Sequence, residues 1–221
     1  MRLRALELDE FRLFRRLRLQ IEPAGFRAVG PNASGKSTLL EAIAMLATTR
    51  SPRTSVEREI ANWSSGTDLA LPPFARVHGQ FDRRDGRHSV EIGLSIEARD
   101  HGPLKKLVRL DDRPVRAMDA VGQFKTVLFS PADVELLRGS PGGRRRFLDV
   151  AISQASAPYL RALSRYARVL EQRNSLLRTL ARERIQANSS RSQQELAFWD
   201  EQLTAAAIDV LALRLGAVAA L

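Results

Sequence analysis

Residues Gly30 to Thr38 read Gly-Pro-Asn-Ala-Ser-Gly-Lys-Ser-Thr, which fits the pattern G-x-x-x-x-G-K-[ST] of a phosphate-binding loop. Gly30, Gly35, Lys36 and Ser37 fill the four fixed positions. Glycine lets the backbone take conformations that a side chain forbids and lets an anion approach the main chain. Successive N–H groups then turn inward around the anion, and the helix that follows points its positive end at the same place. The ammonium of Lys36 is expected on the β/γ-phosphates of a nucleotide and the hydroxyl of Ser37 on Mg²⁺. Gly30, Pro31, Asn32, Ala33, Ser34, Gly35, Lys36, Ser37 and Thr38 are therefore the expected nucleotide contacts, with ATP and Mg²⁺ as cofactors.

The flanks suit the loop. Phe26-Arg27-Ala28-Val29 is short and mostly apolar, as a buried strand would be, and Ser37 to Leu46 reads as a helix with apolar residues at Leu39, Leu40, Ile43, Leu46 and Ala47.

The chain has 221 residues, enough for one sizeable domain or two small ones. It has no cysteine, which excludes disulfides and thiolate metal sites, and only three histidines, which argues against zinc. The N-terminus alternates apolar and charged residues, unlike a signal peptide. No apolar run reads as long enough to span a membrane, so the chain is expected to be soluble and cytoplasmic. The net charge is +10. Residues 1–138 carry 23 Lys+Arg against 18 Asp+Glu, and residues 139–221 carry 12 against 7, so the excess is shared by both parts. A basic nucleotide binder suggests a polyanionic partner such as DNA or RNA. Nearly all the cations are arginine, so a general compositional bias competes with that reading.

Residues 3–9 and 16–21 alternate apolar and charged and predict two strands with one wet face. Residues 55–63 suggest a short helix, and Ser64 to Pro73 a surface loop. Residues 74–82 and 88–96 predict an antiparallel hairpin turning through Arg83 to Arg87, and residues 105–110 another strand turning at Asp111-Asp112. Phe124 to Phe129 predicts a buried strand. Ser130-Pro131-Ala132-Asp133 then has the order of a helix start, with Ser130 as N-cap and Asp133 as the capping acid.

After Gly139-Ser140-Pro141-Gly142-Gly143 the strand signal ends. Leu160, Leu163, Ala167, Leu170, Asn174, Leu177 and Ala181 keep a 3-4 spacing, as do Leu196, Trp199, Leu203, Ala206, Val210, Leu213, Ala217 and Ala220. Two long helices with heptad seams are predicted, folding back near Asn188-Ser189-Ser190 as an antiparallel hairpin. A helix over residues 158–187 would reach about 45 Å, more like a projecting arm than a core element. Asn174, at a seam position, either sets register or sits satisfied at an edge.

Several stretches together resemble one family. They are Glu10-Phe11-Arg12, the loop with Leu39-Leu40-Glu41-Ala42-Ile43, Arg50-Ser51-Pro52-Arg53, Val127 to Asp133, and Gly139-Ser140-Pro141 with Arg144-Arg145-Arg146-Phe147-Leu148-Asp149. Tyr159, Tyr166 and Gln172-Arg173-Asn174 complete the set. The loop is generic to P-loop proteins. The Phe-Ser-Pro-x-Asp and Gly-Ser-Pro…Arg-Arg-x-Phe-Leu-Asp segments are more specific, and they resemble the RecF family of recombination-mediator ATPases. The resemblance implies an α/β ABC/SMC-type ATPase head, with a mixed sheet around the P-loop helix over residues 1–138, and a helical arm over residues 139–221. It implies ATP-dependent dimerisation, DNA binding at gaps or junctions, and work with RecO and RecR to load RecA in recombinational repair, replication and the SOS response. Arg12 matches an arginine that lies near the nucleotide phosphates in such heads, or else is a solvated charge at a strand end. The triplet Arg144, Arg145 and Arg146 suggests a DNA-phosphate patch, or else pairs with acids across the head.

The sequence departs from the family in Ala33, where glycine is usual, and Thr38, where asparagine is usual. The apolar strand ending in Asp-Glu that holds Mg²⁺ and activates water is absent, as is the serine-glycine signature that closes on a partner's ATP. No catalytic residue is therefore assigned, and the sequence reads as the N-terminal portion of a longer protein. ATPase activity, weak and DNA-dependent, is expected only of the complete dimer. A P-loop small-molecule kinase and a nucleotide-dependent binding module without catalysis are the competing readings.

Overall fold

The computed structural model describes residues 1–67, 72–96, 104–182 and 190–220. The chain forms two compact units, Met1–Glu135 and Leu136–Leu221.

The first unit is built on a six-stranded sheet in the order β2-β1-β3-β4-β5-β6. Its strands are β1 (Arg2–Phe11), β2 (Phe14–Gln20), β3 (Phe74–Arg83), β4 (Gly86–Ile96), β5 (Leu104–Leu110) and β6 (Arg113–Val115). Every pair is antiparallel. Three of the joints are tight turns: Arg12-Leu13, Arg84-Asp85 and Asp111-Asp112 each lie between residues that pair across the ladder. Asp111 and Asp112 both have positive φ, 49° and 63°, as a type I′ turn requires.

One face of the sheet is apolar. Leu6, Leu8, Phe11, Val77, Phe81, Val90 and Ile92 are buried there with Met45 and Leu46 of helix α1 (Lys36–Thr48). Gly79 on β3 allows that contact, since a Cβ at this position would lie 2.3 Å from Leu46 Cδ1. The other face is wet, and its charges alternate in sign across five strands. Arg18 bonds Asp9 at 2.8 Å, Arg76 bonds Glu7 and Asp9 at 3.0 Å and Glu91 at 2.6 Å, and Arg109 bonds Glu91 at 3.1 Å. Burial raises the Glu7 carboxyl, but the Arg76 hydrogen bond and the nearby charges of His78 and Arg18 outweigh it and hold its pKa below the ordinary value.

Two expected strands do not form. Residues 26–29 and 125–129 belong to no ladder, and Val29, Val127 and Phe129 are 81%, 93% and 79% exposed. Their apolar composition is that of buried strands, but a strand exists only through pairing, and no described strand lies beside either. The sheet is thus antiparallel rather than mixed; a parallel bridge, Val121 with Phe124, lies outside it. Residues 57–60 form a single 3₁₀ turn. Two short helices follow, α2 (Ala117–Ala120) and α3 (Glu135–Arg138), and the second unit begins within α3 at Leu136. Before α3, a 3₁₀ turn at Pro131–Val134 carries the expected acid at its start, with Asp133 accepting from Ser130 N at 2.6 Å.

The second unit holds α4 (Pro141–Ala155), α5 (Ala157–Arg182) and α6 (Ser190–Ala219). Arg173 meets Asp200, Arg165 meets Asp209, and Tyr159 meets Arg214, so numbers fall along α5 as they rise along α6 and the pair is antiparallel. The expected turn at Asn188–Ser189 lies outside the described residues. On α6 most of the expected seam is observed, with Ala206 and Val210 buried and Leu196, Trp199, Leu203 and Ala217 partly so, but Leu213 and Ala220 are exposed. On α5 the expected Leu160, Leu163 and Leu170 are partly buried, together with Ala162, Tyr166 and Val169 beside them, but Ala167, Asn174, Leu177 and Ala181 are exposed. Past Leu170 the covered line shifts by one residue to Arg173, Leu176 and the buried Leu180. Asn174 therefore sets no register at the seam.

Against the sequence expectation, one helix among the described residues, Ser192–Ala219, has the length and composition of a membrane span: an 18-residue stretch of it has mean hydropathy 1.5 and is 11% buried. Its second apolar line, Ile208, Leu211, Leu215 and Val218, is exposed on the side away from the α5 seam.

Candidate nucleotide-binding site

The loop from Gly30 to Ser34 is exposed and leads directly into α1. Gly35 is the N-cap residue at φ 95°, where only glycine sits without strain. A Cβ here would also lie 2.5 Å from Phe14 Cζ and 3.1 Å from Leu13 Cδ2. The β1–β2 hairpin thus presses on the start of the helix, and both backbone and packing demand glycine. Ala33 takes φ 63°, a left-handed conformation, despite its side chain. This is the cost of the alanine noted in the sequence.

The ammonium of Lys36 reaches back across the loop. Its Nζ donates to Gly30 O at 2.8 Å, Pro31 O at 2.5 Å and Ser34 Oγ at 3.4 Å. The loop is therefore curled around one cationic centre. The first N–H groups of α1 have no intrahelical acceptor, and no acid lies in the first turn to satisfy its dipole. Ser37 is exposed and Thr38 buried. Ammonium, hydroxyl and outward N–H groups with no carboxylate among them form a donor set for an anion, and they fit the phosphates of a nucleotide. Among the described residues no cluster of three His, Cys, Asp or Glu could hold a metal by itself, so the Ser37 hydroxyl fits a metal only together with phosphate oxygens.

Arg12, in the β1–β2 turn, has φ 53°. Its guanidinium donates to Glu41 Oε1 from Nη2 at 2.8 Å, to Glu41 Oε2 from Nε at 3.2 Å, and to Glu59 O from Nη1 at 2.7 Å. It is thus neither a free charge at a strand end nor bonded to the loop. The Glu41 side chain is fully buried on the face of α1 that packs inward. It also accepts from Ser51 Oγ at 2.6 Å and from Arg53 at 3.4 Å. One carboxylate therefore ties the P-loop helix to the β1–β2 turn and to the Arg50–Thr54 segment. Sequence reading missed this group. The signal available was an acid flanked by apolar pairs, Leu39-Leu40 and Ala42-Ile43, which periodicity alone places on a helix surface.

The arginine triplet divides. Arg144 donates to Leu136 O at 3.3 Å and Gly139 O at 2.9 Å and closes the start of α4. Arg145 and Arg146 are exposed and have no partner among the described residues. The nearby Asp149 is committed elsewhere: its Oδ1 accepts from Arg214 at 2.6 Å and from the hydroxyl of the fully buried Tyr159.

Residues 29–142 match the family described as "AAA domain, putative AbiEii toxin, Type IV TA system". The chain is 46% identical to the DNA replication and repair protein RecF of Thermomicrobium roseum over 97% of its own length and 53% of the relative's. With RecF of Herpetosiphon aurantiacus it shares 46% identity over 98% of its length and 57% of the relative's. The solved structure of the recombination mediator protein RecF-ATPrS in the RecFOR pathway superposes on 98% of this chain with a TM-score of 0.80 at 27% identity, covering 54% of that chain. The RecF-ATP structure of the same pathway gives 0.79. The chain spans about half the length of the curated relatives it matches.

Proposed function

Because the chain belongs to the RecF family, we propose that it is the ATP-binding portion of a DNA repair and replication protein. The observation that carries this reading is the loop centred on Lys36, with Gly35 in the left-handed conformation at the uncompensated end of α1. On this reading Gly30 to Thr38 cradle the triphosphate. Lys36 exchanges its carbonyl contacts for β/γ-phosphate oxygens, and the helix end holds negative charge. Mg²⁺, when bound, neutralises charge between the phosphates, and Ser37 is the residue that would ligate it. Arg12 lies on the hairpin that packs against Gly35, and in releasing Glu41 it would add a guanidinium beside the nucleotide.

The proposal extends to the expected partners. DNA is bound through backbone phosphates, with Arg145 and Arg146 as contacts and Arg144 as the residue that shapes their helix start. ATP promotes dimerisation, RecR and RecO are partners, and the protein works in the cytoplasm. Residues 1–138 form the head and residues 139–221 the arm. Relatives named for replication and repair at 46% identity support this reading over a small-molecule kinase.

Titration calorimetry of Mg-ATP into the chain and into its Lys36→Ala variant tests the central claim. The wild type should bind and the variant should lose binding, with equal far-UV circular dichroism. Equal affinity for both overturns the site.

A further inference from the structure

The charges of the arm are segregated between its two long helices. α5 carries six arginines, Arg161, Arg165, Arg168, Arg173, Arg178 and Arg182, against one acid, Glu171. α6 carries four acids, Glu195, Asp200, Glu201 and Asp209, against two arginines, Arg191 and Arg214. An ordinary solvated helix interleaves opposite charges at i,i+4. On α5 the i,i+4 pairs Arg161/Arg165 and Arg178/Arg182 and the i,i+3 pair Arg165/Arg168 are all of like sign, an arrangement that destabilises the isolated helix.

The position of these arginines is equally one-sided. At about 100° per residue, Arg161, Arg165, Arg168, Arg178 and Arg182 fall within about 140° of the helix circumference, centred away from the α6 seam. Arg173 is the exception. It lies in the seam and is paired with Asp200 at 2.5 Å. The other five are exposed. Arg161, Arg168, Arg178 and Arg182 have no partner among the described residues, and Arg165 has only Asp209, at 3.9 Å with both side chains more than half exposed.

We propose that this outer face of α5 is a docking surface for the phosphate backbone of duplex DNA. It rests on the reading of this chain as a DNA-binding protein and assigns that binding to a particular face. The stripe runs about 30 Å, close to one turn of B-form duplex. Arginine suits the task because its planar guanidinium donates two parallel bonds to a phosphate. Phosphates would also relieve the repulsion along the stripe. No base contact is implied, so the surface adds affinity and salt dependence, not sequence preference.

The test is fluorescence anisotropy with a labelled duplex of about 30 bp, titrated at several KCl concentrations. Three proteins are compared with the wild type: R161Q/R165Q/R168Q, R145Q/R146Q and E171Q. The first should flatten the plot of log affinity against log salt by about 2.7, the value for three lost phosphate contacts. E171Q, which removes the sole acid without removing a cation, should bind more tightly. It keeps the proposal testable should the triple variant fold poorly by circular dichroism. An unchanged slope in a folded triple variant, or unchanged binding by E171Q, overturns the stripe. If R145Q/R146Q still flattens the plot in that case, DNA binding stands and lies at the start of α4. Absence of any duplex binding by the wild type overturns both readings.

Discussion

The carboxylate of Glu41 accepts two hydrogen bonds from the guanidinium of Arg12, 2.8 Å from Nη2 and 3.2 Å from Nε. The acid is on the P-loop helix and fully buried, while the arginine sits in the turn whose neighbours press on Gly35. The pair therefore fixes the hairpin against the helix that follows the candidate phosphate loop. A buried charge left alone costs more than the pair contributes. Arg12→Ala should lower unfolding stability by about 3 kcal/mol, as a carboxylate stays buried without its main partner. The double variant R12M/E41M, which removes both charges, should recover much of that loss. Urea denaturation of wild type, single and double variants measures both, and additive losses would contradict the coupling.

Ala33 at φ 63° carries left-handed strain that glycine would not. The relief, about 1–2 kcal/mol, is offset in part by the greater freedom glycine gives the unfolded chain, about 0.4–1 kcal/mol. Ala33→Gly should therefore stabilise the chain by about 0.5–1 kcal/mol. Gly35→Ala should do the reverse and also lose ATP binding, because it meets both a positive φ and Phe14. Paired denaturation and calorimetry experiments check the two signs.

Tyr159, Asp149 and Arg214 join α5, α4 and α6 at one buried point. Burial first, and then the Asp149 hydrogen bond, raise the Tyr159 hydroxyl above its ordinary value, against the opposing effect of Arg214. The folded state thus holds this proton more tightly than the unfolded chain. Its contribution is complete below the unfolded pKa of about 10 and is lost as pH rises through the higher folded value. Stability of the second unit should fall above about pH 10 in the wild type and fall less in Tyr159→Phe. Absorbance titration near the phenolate band, with thermal melts across the same range, reports it.

The 221-residue chain should bind ATP and turn it over poorly. Binding needs the curled loop, Lys36 and a hydroxyl for Mg²⁺. Turnover also needs an oriented water and preorganised charge around the transition state. Asp9-Glu10 closes β1 with Asp9 already paired to Arg18 and Arg76, and Asp200-Glu201 lies inside α6, so neither Asp-Glu pair ends an apolar strand. A phosphate-release assay with and without duplex DNA should give a rate near background. Robust release that vanishes in Lys36→Ala would place a catalytic acid within this chain.

What the sequence by itself determined here is local. The turn at Gly35 and the reach of Lys36 back over the loop are legible from spacing, because loop and helix start are one stretch of backbone whose residues are neighbours in the chain. The β1–β2, β3–β4 and β5–β6 joints are legible for the same reason: each is a short turn between alternating stretches. The tertiary structure alone decided the features that depend on a partner. The α5 seam is the clearest, because its apolar residues come largely in adjacent pairs, such as Ala162-Leu163, Val169-Leu170, Leu176-Leu177 and Leu180-Ala181. Two seams one residue apart were equally readable. Packing against α6, with Tyr159 buried and Arg173 turned inward to Asp200, selected the one that leaves Asn174 in water. Glu41 follows the same rule. Periodicity sends an acid to the surface, and only the arrival of Arg12 from 29 residues away makes its burial affordable. Residues 26–29 and 125–129 show the converse. Their composition is that of strands, yet a strand's hydrogen bonds belong to two segments at once, so composition in one of them cannot create it.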